Sequence, residues 1–305
     1  MVLSKRILIT GGSGLVGTRL TEILHAKGYE VVHLGRTKSD SGVRSFVWDV
    51  EKQTLDTSAF DGVSAIIHLA GAGVAEKRWS RRRKKVIMES RRQSASLLYR
   101  ELNKQPHSVT TFISASAIGY YGPGDDQTIF RENDPPGGDF LSEVSQEWEI
   151  AADRFADLGV RVVRIRIGIV LSGKGGALEP MQKTVRLGAG SALGSGEQWM
   201  SWIHIDDLCA IFAAAIENES MRGVYNAVAP FPVKNREFVR ELAAVLKKPL
   251  ILPRVPPVAL RLLFGEMSTI VLDGAKVSSD KIRQAGFTFS FPKLREALMS
   301  LLRQV

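Results

Sequence analysis

Short apolar runs alternate with helical patterns over the first 230 residues of the chain. The runs predict seven buried strands, at residues 6–10, 30–34, 45–48, 65–69, 110–115, 160–165 and 223–227. Stretches with apolar residues at helical spacing lie between them, at residues 15–27, 83–104, 140–158 and 206–217. Since buried parallel strands read as continuous apolar runs joined by crossover helices, this order predicts an α/β fold with a Rossmann-type, doubly wound parallel sheet. A ligand is then expected at the carboxyl ends of the strands.

The amino-acid composition changes after residue 169. Residues 173–176 and 188–196 are rich in glycine, and four prolines lie between positions 249 and 257. Two short helical patterns follow, at residues 278–285 and 292–302. We therefore assign residues 1–170 plus 205–229 to the Rossmann domain, and residues 171–204 plus 230–305 to a smaller C-terminal lobe that closes over the ligand.

A glycine-rich loop follows the first strand and opens the first helix. Its three key glycines, Gly11, Gly14 and Gly17, have the spacing G-x-x-G-x-x-G. Such a loop lets the backbone approach a pyrophosphate, whose charge then faces the free N–H groups of the helix start. The predicted phosphate-binding residues are Gly11, Ser13, Gly14, Leu15, Val16 and Gly17. A purely structural tight turn is the alternative interpretation.

The end of the second strand indicates which dinucleotide is bound. A site for NAD places an acidic side chain here, on the ribose 2′-hydroxyl. In this chain Gly35 and Arg36 stand at that place, Lys38 follows, and the first acid is Asp40. Because a guanidinium can hold a 2′-phosphate with two hydrogen bonds, we predict NADP(H) as the cofactor. The alternative is a solvated loop arginine.

Two further strand ends fit the same site. Asp49 could accept a hydrogen bond from the adenine amino group, and the small-residue turn Leu69, Ala70 and Gly71 could pass beneath the adenosine ribose. Ordinary strand termination explains either feature equally well.

Composition narrows the class of protein. The chain has 305 residues, 44% of them hydrophobic and 24% charged, as expected for a globular protein with a sizeable core. No apolar run approaches the ~20 residues of a membrane helix, and the N-terminus leads straight into the first strand, so we expect neither a signal peptide nor a membrane partner. The single cysteine, Cys209, excludes a disulfide framework and a multi-cysteine metal site, so we predict no metal and a cytoplasmic location.

The formal net charge of +9 is partly concentrated in one segment. Seven of the nine residues from 77 to 85 are basic: Lys77, Arg78, Arg81, Arg82, Arg83, Lys84 and Lys85. An anionic or nucleotide-linked substrate, with Trp79 stacking on it, is one interpretation, and a solvated helix face is the other. We expect a small-molecule substrate in preference to nucleic acid.

These motifs together resemble the extended short-chain dehydrogenase/reductase superfamily, and within it the epimerase family branch of NADP-dependent oxidoreductases or nucleotide-sugar epimerases. The segments that carry the resemblance are GGSGLVG at 11–17, HLAG at 68–71, SASAIGYYG at 114–122, GGDF at 137–140, EWE at 147–149, WIHIDD at 202–207 and a C-terminal module over 264–266, 286–289 and 291–292. The resemblance covers essentially the whole chain. It implies cofactor contacts at Gly35, Arg36, Leu69, Ala70, Arg91 and Val170.

The resemblance also implies a catalytic Tyr-x-x-x-Lys pair, which this sequence lacks. None of its five tyrosines is followed by a lysine four positions later, and alignment on Glu149 puts Leu141 and Ser145 at the two places. A proton donor must therefore come from elsewhere. The candidates are Ser116, Tyr120, Tyr121 and Glu143.

Two residues invite a chemical role but are better explained structurally. We predict that His204 belongs to a recurring segment in which the following acids cap the next helix, and that Cys209 packs in the core. The sequence thus predicts an NADP(H)-binding oxidoreductase or epimerase-like enzyme for a small carbonyl or alcohol. The alternative is a non-catalytic NADP(H)-binding regulatory protein, which the missing Tyr/Lys pair favours.

Overall fold

A computed structural model of the chain describes residues 5–38 and 42–302, and Asp40 and the first four residues lie outside these ranges. The strands are β1 Arg6–Thr10, β2 Glu30–Gly35, β3 Ser45–Asp49, β4 Thr54–Leu55, β5 Val63–His68, β6 Thr111–Ala117, β7 Ile129–Phe130, β8 Arg161–Ile167, β9 Ile169–Ser172, β10 Gly175–Gly176, β11 Trp199–Met200, β12 Trp202–His204, β13 Gly223–Ala227, β14 Val233–Lys234 and β15 Lys276–Val277. The helices are α1 Leu15–Ala26, α2 Arg81–Asn103, α3 Phe140–Asp153, α4 Leu178–Arg186, α5 Ile205–Glu217, α6 Asn235–Val245, α7 Pro257–Phe264, α8 Thr269–Leu272, α9 Asp280–Gln284 and α10 Leu294–Leu302. Short 3₁₀ turns cover Thr57–Phe60, Ile118–Tyr121, Arg154–Leu158 and Gly265–Ser268.

The central sheet confirms the predicted α/β class. Its strand order is β13-β8-β6-β5-β1-β2-β3-β4, and every pair is parallel except β3 with β4. From β1 the chain winds outward through β2 and β3, and from β5 it winds the other way through β6, β8 and β13. The direction therefore reverses between β1 and β5, and a ligand crevice is expected at the carboxyl ends of these two strands.

Helices cover both faces of the sheet. On one face α1 packs against α5, and on the other α2 packs against α3. The central strands are buried from both sides, and Ile7, Leu8 and Ile9 of β1 are fully inaccessible. This double burial explains why the strands read as continuous apolar runs.

The C-terminal part of the chain builds smaller units around one end of the sheet. Strands β10, β9 and β12 form a three-stranded sheet, while α10 packs against α6 and β9. The predicted domain boundary at residue 170 falls inside β9, and one hydrophobic cluster joins Ile9 of β1 with Leu171, Phe238 and Leu298. The division into two domains stays a prediction.

Element ends differ from the sequence patterns where local chemistry intervenes. The pattern at 140–158 predicts one helix, but α3 ends at Asp153 and a 3₁₀ turn continues to Gly159, whose φ of 73° stops it. The helix α2 begins earlier than its pattern, because Ser80 caps it by accepting a hydrogen bond from the Arg83 amide at 3.1 Å. The short strands and α4, α6, α7 and α8 were not predicted from the sequence, although α6 buries residues at helical spacing, Phe238, Val239, Leu242 and Ala243. In the described part of the chain, no helix is both long enough and apolar enough to traverse a bilayer.

Candidate functional site

The glycine loop between β1 and α1 is packed so tightly that side chains are excluded from it. A Cβ on Gly17 would lie 2.4 Å from the Gly11 carbonyl oxygen, and one on Gly12 would lie 2.5 Å from the His33 ring. The Thr21 hydroxyl donates to the Gly17 carbonyl at 2.7 Å and contacts His33 Nε2 at 2.8 Å, which fixes the imidazole beneath the loop. The glycines thus bring the loop backbone directly onto β2 and the start of α1.

The first turn of α1 has no capping side chain. Its N-cap is Gly14, and no side chain accepts from the first-turn amides, which also have no partner within the helix by geometry. Ser13 and Gly14 are exposed, and Leu15 and Val16 are half-buried. The structure thus places uncapped N–H groups at the switch point of the sheet, where the helix dipole favours an anion.

A buried histidine shapes the neighbouring turn after β5. His68 Nδ1 lies 2.8 Å from the Thr10 hydroxyl, and Nε2 lies 3.1 Å from the Ser94 hydroxyl. Because Ser94 donates to the Arg91 carbonyl and Thr10 accepts from the Ala70 amide, the network assigns the proton to Nε2. This network holds the turn that contains Leu69, Ala70 and Gly71 against the Gly11 backbone. The contact is close, since a Cβ on Gly11 would lie 3.1 Å from the Ala70 nitrogen.

Protonation of His68 is linked to the stability of this region. Burial, with a smaller contribution from the Arg91 charge, lowers the pKa of His68 to about 3. The unfolded chain therefore binds a proton at this position below pH ~6.5 while the folded chain does not, so stability falls with decreasing pH by about 1.4 kcal/mol per unit.

We expect His68→Gln to remove this contribution to the pH dependence of the unfolding free energy. Urea denaturation at pH 6.5, 5.5 and 4.5 should give a shallower loss of unfolding free energy for the variant than for the native protein. Equal slopes for the native protein and His68→Gln would contradict the assignment.

Arg91 lies against the same turn from α2. Its guanidinium donates to the carbonyls of Ala72 at 3.0 Å and Ile87 at 2.9 Å and covers the Trp148 ring at 4.6 Å. A Cβ on Gly71 would lie 3.0 Å from Arg91 Cζ, so the guanidinium packs directly on the Gly71 backbone. Burial, and secondarily Arg83, lowers the pKa of Arg91 to about 10, which leaves it charged at neutral pH. The structure therefore buries a cation beside the site without an acidic partner among the described residues.

The end of β2 presents Arg36 to solvent. Gly35 is half-buried and Arg36 is exposed, and no acidic side chain within residues 5–38 and 42–302 pairs with it. Asp49, at the end of β3, accepts hydrogen bonds from the amides of Glu51 at 3.0 Å and Lys52 at 2.9 Å. Asp49 thus terminates its strand, in line with the second of the two interpretations, and its contact with adenine stays a prediction.

A cavity of about 520 Å³ opens beside the glycine loop. It is bounded by the start of α1, the loop at residues 172–176, the start of α5 and the end of α10. A Cβ on Gly176 would lie 3.1 Å from Leu15 and 3.4 Å from the Val170 carbonyl. The structure thus brings together Leu15 and Val170, two of the predicted cofactor contacts.

Ser116, one of the four candidate proton donors, is tied into a buried ion pair. Its hydroxyl donates to Glu149 Oε1 at 2.7 Å, and the Glu149 carboxylate pairs with the Arg166 guanidinium at 2.7 and 2.9 Å. All three side chains are buried. Burial alone would lower the pKa of Arg166, but the hydrogen bonds and charge of Glu149 outweigh it and raise this pKa.

Tyr121, the second candidate, belongs to the same network. Its hydroxyl donates to Asn226 Oδ1 at 2.7 Å and accepts from Arg166 at 2.9 Å, and its ring stacks on Phe130. Burial raises the pKa of Tyr121 to about 12, although Arg166 acts in the opposite direction. Its hydroxyl therefore has a structural role in the described structure.

The side-chain oxygens of Tyr120 and Glu143 have no comparable hydrogen bonds or ion pairs among the described residues. The Tyr120 ring is half-buried over the Arg166 guanidinium at 3.4 Å, and its hydroxyl has no hydrogen-bond partner in the described ranges. Glu143 is exposed in the first turn of α3. At the places of the missing pair, Leu141 packs against Gly119, and the buried Ser145 donates back to the Leu141 carbonyl at 2.8 Å.

The segment around His204 corrects one expectation. His204 itself is the N-cap of α5, since its Nδ1 accepts from the Asp206 amide at 3.1 Å. Asp206 instead pairs with Arg19 at 2.6 Å, and Asp207 accepts from the amides of Ser290 and Phe291. The predicted capping by the acids was wrong because Asp206 and Asp207 lie inside the first helical turn, beyond the N-cap. Cys209 is fully buried, which confirms its place in the core.

The basic segment 77–85 is partly structural. Trp79 donates to the Val74 carbonyl at 2.8 Å and meets the Phe140 ring edge-on, so its ring is used in packing. Arg83 pairs with Glu76 at 2.8 Å, and Lys84 with Glu266 of the C-terminal part.

Within the described ranges, no group of three or more His, Cys, Asp or Glu side chains is arranged to hold a metal ion.

The fold and the uncapped glycine loop define a Rossmann-type dinucleotide-binding protein. The sequence profile of the NAD dependent epimerase/dehydratase family matches residues 7–227, and that of a domain of unknown function, DUF1731, matches residues 255–301. The chain therefore belongs to the NAD dependent epimerase/dehydratase family, as its motifs predicted.

Similar proteins span the whole chain. It is 38% identical over 304 residues to the chloroplastic epimerase family protein SDR39U1 homolog of Arabidopsis thaliana, covering 97% of this chain and 86% of that protein. It is 37% identical over 303 residues to an epimerase family protein of Staphylococcus aureus, covering 98% and 100%. The crystal structure of human epimerase family protein SDR39U1 (isoform 2) with NADPH superposes with a TM-score of 0.88 at 32% identity, covering 98% and 100%. UDP-glucose 4-epimerase of Thermus thermophilus, with a TM-score of 0.77 at 19% identity over 97% of each chain, shares the fold.

Sequence reasoning assigned no role to His33, Arg166 and Asn226, which help to organise this site, and it used His68 and Glu149 only as members of family motifs. A signal for one of them was present, since Arg166 interrupts an apolar strand pattern and a charge in a buried strand requires a partner.

Proposed function

We propose that this chain binds NADP(H) across the carboxyl ends of β1, β2 and β5 and uses it as an oxidoreductase or epimerase-like enzyme on a small carbonyl or alcohol. The observation that carries the proposal is the uncapped first turn of α1 at the switch point of the sheet. Its free N–H groups would hold the pyrophosphate, and the turn at residues 69–71 would lie beneath the adenosine ribose.

Two arginines that have no acidic partner among the described residues support the phosphorylated form of the cofactor. Arg36 is exposed and unpaired among the described residues at the place where the 2′-phosphate is expected. Arg91 is a buried cation without an acidic partner in the same ranges, which is costly unless an anion compensates it. The related human structure contains NADPH.

We expect Arg36→Ala to weaken NADPH binding roughly 10- to 100-fold and to leave NADH binding nearly unchanged. A hydrogen bond to a charged group contributes about 1.5–3 kcal/mol, and only NADPH offers the 2′-phosphate. Isothermal titration calorimetry with each coenzyme measures this directly. Arg44→Ala, at another exposed arginine of the same loop, is the control. Equal losses for NADPH and NADH would refute the assignment of Arg36.

The bound nicotinamide would supply the hydride chemistry, and the protein would orient the substrate and move the proton. Among the four candidates we assign the proton transfer to Tyr120. The hydroxyls of Ser116 and Tyr121 are used in the Arg166 network, and Glu143 is exposed to solvent.

We expect Tyr120→Phe to lower kcat about a hundredfold while NADPH affinity stays unchanged, since general acid–base catalysis contributes at least this factor. Tyr121→Phe is the comparison variant, and it should lower thermal stability and reduce kcat less. The readout is NADPH oxidation at 340 nm with a panel of aldehydes and ketones, together with calorimetry for affinity. Full activity of Tyr120→Phe would exclude this hydroxyl as the donor.

A regulatory NADP(H)-binding protein without catalysis is the second candidate function. The observation in its favour is that Leu141 and Ser145, packed internally, occupy the places of the proton-transferring pair. The same carbonyl panel separates the two functions. Turnover supports the enzyme, whereas tight NADPH binding without oxidation of any substrate in the panel supports the regulator.

A further inference from the structure

Helix α7 in the C-terminal part of the chain exposes an apolar face. Val258, Leu262 and Leu263 are 63%, 74% and 66% exposed, and the only buried residue of the helix is Leu260. At 100° per residue, these three side chains and Ala259 span an arc about 140° wide. Such high exposure means that the side chains project outward, because residues that line a groove would shield one another.

The basic segment 77–85 adjoins this helix. The 3₁₀ turn that follows α7 begins at Gly265, where a Cβ would lie 2.7 Å from Arg78 Nε, and the next residue, Glu266, pairs with Lys84. The other exposed cations of the segment are Lys77, Arg81, Arg82 and Lys85. None of these four, nor Arg78, has an acidic side chain within ion-pair distance in the part of the chain that the structure describes.

We propose that the α7 face and the basic segment together form a docking surface for an anionic lipid membrane. Exposed Leu and Val side chains beside unpaired Lys and Arg are the features of an interfacial contact, in which the apolar groups enter the headgroup region and the cations meet anionic lipid. The expectation of no membrane partner rested on the absence of a spanning segment, and a surface contact does not need one.

Charge favours a membrane over a second copy of the chain. Two copies that met through this surface would bring five unpaired cations against five others, which is repulsive. The projecting shape of the α7 side chains also suits a deformable bilayer better than the rigid groove of a folded partner. The surface is therefore assigned to lipid.

Vesicle flotation of the full chain tests the proposal. We expect the native protein to float with vesicles of equal parts phosphatidylglycerol and phosphatidylcholine. With vesicles of pure phosphatidylcholine it should remain at the bottom of the gradient, and high salt should release it from the anionic vesicles. Leu262→Ser with Leu263→Ser should lower the partition at least about tenfold. Arg81→Gln with Lys85→Gln should lower it roughly 25-fold, about fivefold for each charge.

Matched controls lie elsewhere on the surface. Ile150→Ser removes a side chain that is 59% exposed on α3, and Arg92→Gln with Lys104→Gln removes two exposed cations, one on α2 and one directly after its last residue. These controls should partition like the native protein, and circular dichroism melts should show that all variants fold.

Several results would overturn the proposal. They are absence of flotation with anionic vesicles, equal partition of the Leu262/Leu263 variant, and equal loss in the controls. Analytical ultracentrifugation without lipid tests whether a second copy of the chain occupies this surface instead. A dimer that is lost in the Leu262→Ser/Leu263→Ser variant would assign the face to a second copy and refute the lipid assignment.

Discussion

Replacement of Gly17 by alanine is expected to abolish NADPH binding. The new Cβ would lie 2.4 Å from the Gly11 carbonyl oxygen and 2.7 Å from Gly12 Cα. Both contacts are with backbone, so no side chain can rotate away and the loop itself must move. Displacing the loop separates the first-turn amides of α1 from the pyrophosphate position, and overpacking of this kind costs about 1–3 kcal/mol of stability in addition.

Calorimetry with NADPH and a thermal melt of the same sample measure both consequences. Gly138→Ala is the matched control, because a Cβ at that glycine meets nothing within 4 Å and its backbone is not in the left-handed region. We expect native affinity for the control and no detectable heat for Gly17→Ala. If Gly17→Ala kept native affinity, the glycine loop would not be the pyrophosphate site.

Replacement of Glu149 by alanine is expected to destabilise the protein by about 3–5 kcal/mol. The Glu149 carboxylate is the acidic partner of the buried Arg166, which it contacts with two hydrogen bonds, and it also accepts from the Ser116 hydroxyl. Its removal leaves a guanidinium with 3% side-chain exposure uncompensated. The cost arises from the charge left behind rather than from the net contribution of the pair.

Urea denaturation at pH 7 measures this loss. Glu147→Ala, two positions earlier on α3, is the control and should stay within about 0.5 kcal/mol of the native protein. Adding Arg166→Met to Glu149→Ala removes both charges and should recover part of the lost stability, since replacing a whole buried pair by apolar groups is often neutral. A loss for Glu149→Ala no larger than that of the control would show that water reaches Arg166.

The network also positions the turn that contains Tyr120. Arg166, with its partner Glu149, and Asn226 hold the buried Tyr121 hydroxyl, and Tyr121 is the last residue of the 3₁₀ turn at Ile118–Tyr121. Tyr120 lies next to it with its ring over the Arg166 guanidinium. This arrangement motivates the assignment of proton transfer to Tyr120, which the Tyr120→Phe measurement tests.

Much of the fold was predictable because strong local signals coincide with it. The central strands β1, β2, β5 and β6 are buried on both sides and so read as apolar runs, and the glycine spacing marks the turn into α1, where side chains do not fit. The short strands of the C-terminal part carry no such signal. Their lengths of two to four residues are set by pairing partners distant in sequence, such as Trp202 with Ile169.

The sequence by itself determined the sheet and the position of the glycine loop, and it suggested a phosphorylated ribose, because each of these depends on residue types at close spacing along the chain. Only the tertiary structure decided which candidate side chains are free. The hydroxyls of Ser116 and Tyr121 bond to Glu149, Arg166 and Asn226, which lie 33 to 105 positions away along the chain, and a hydrogen bond between such distant residues exists only after the sheet has formed. Only the tertiary structure also brings the basic segment next to the end of α7, because folding places Gly265 against Arg78.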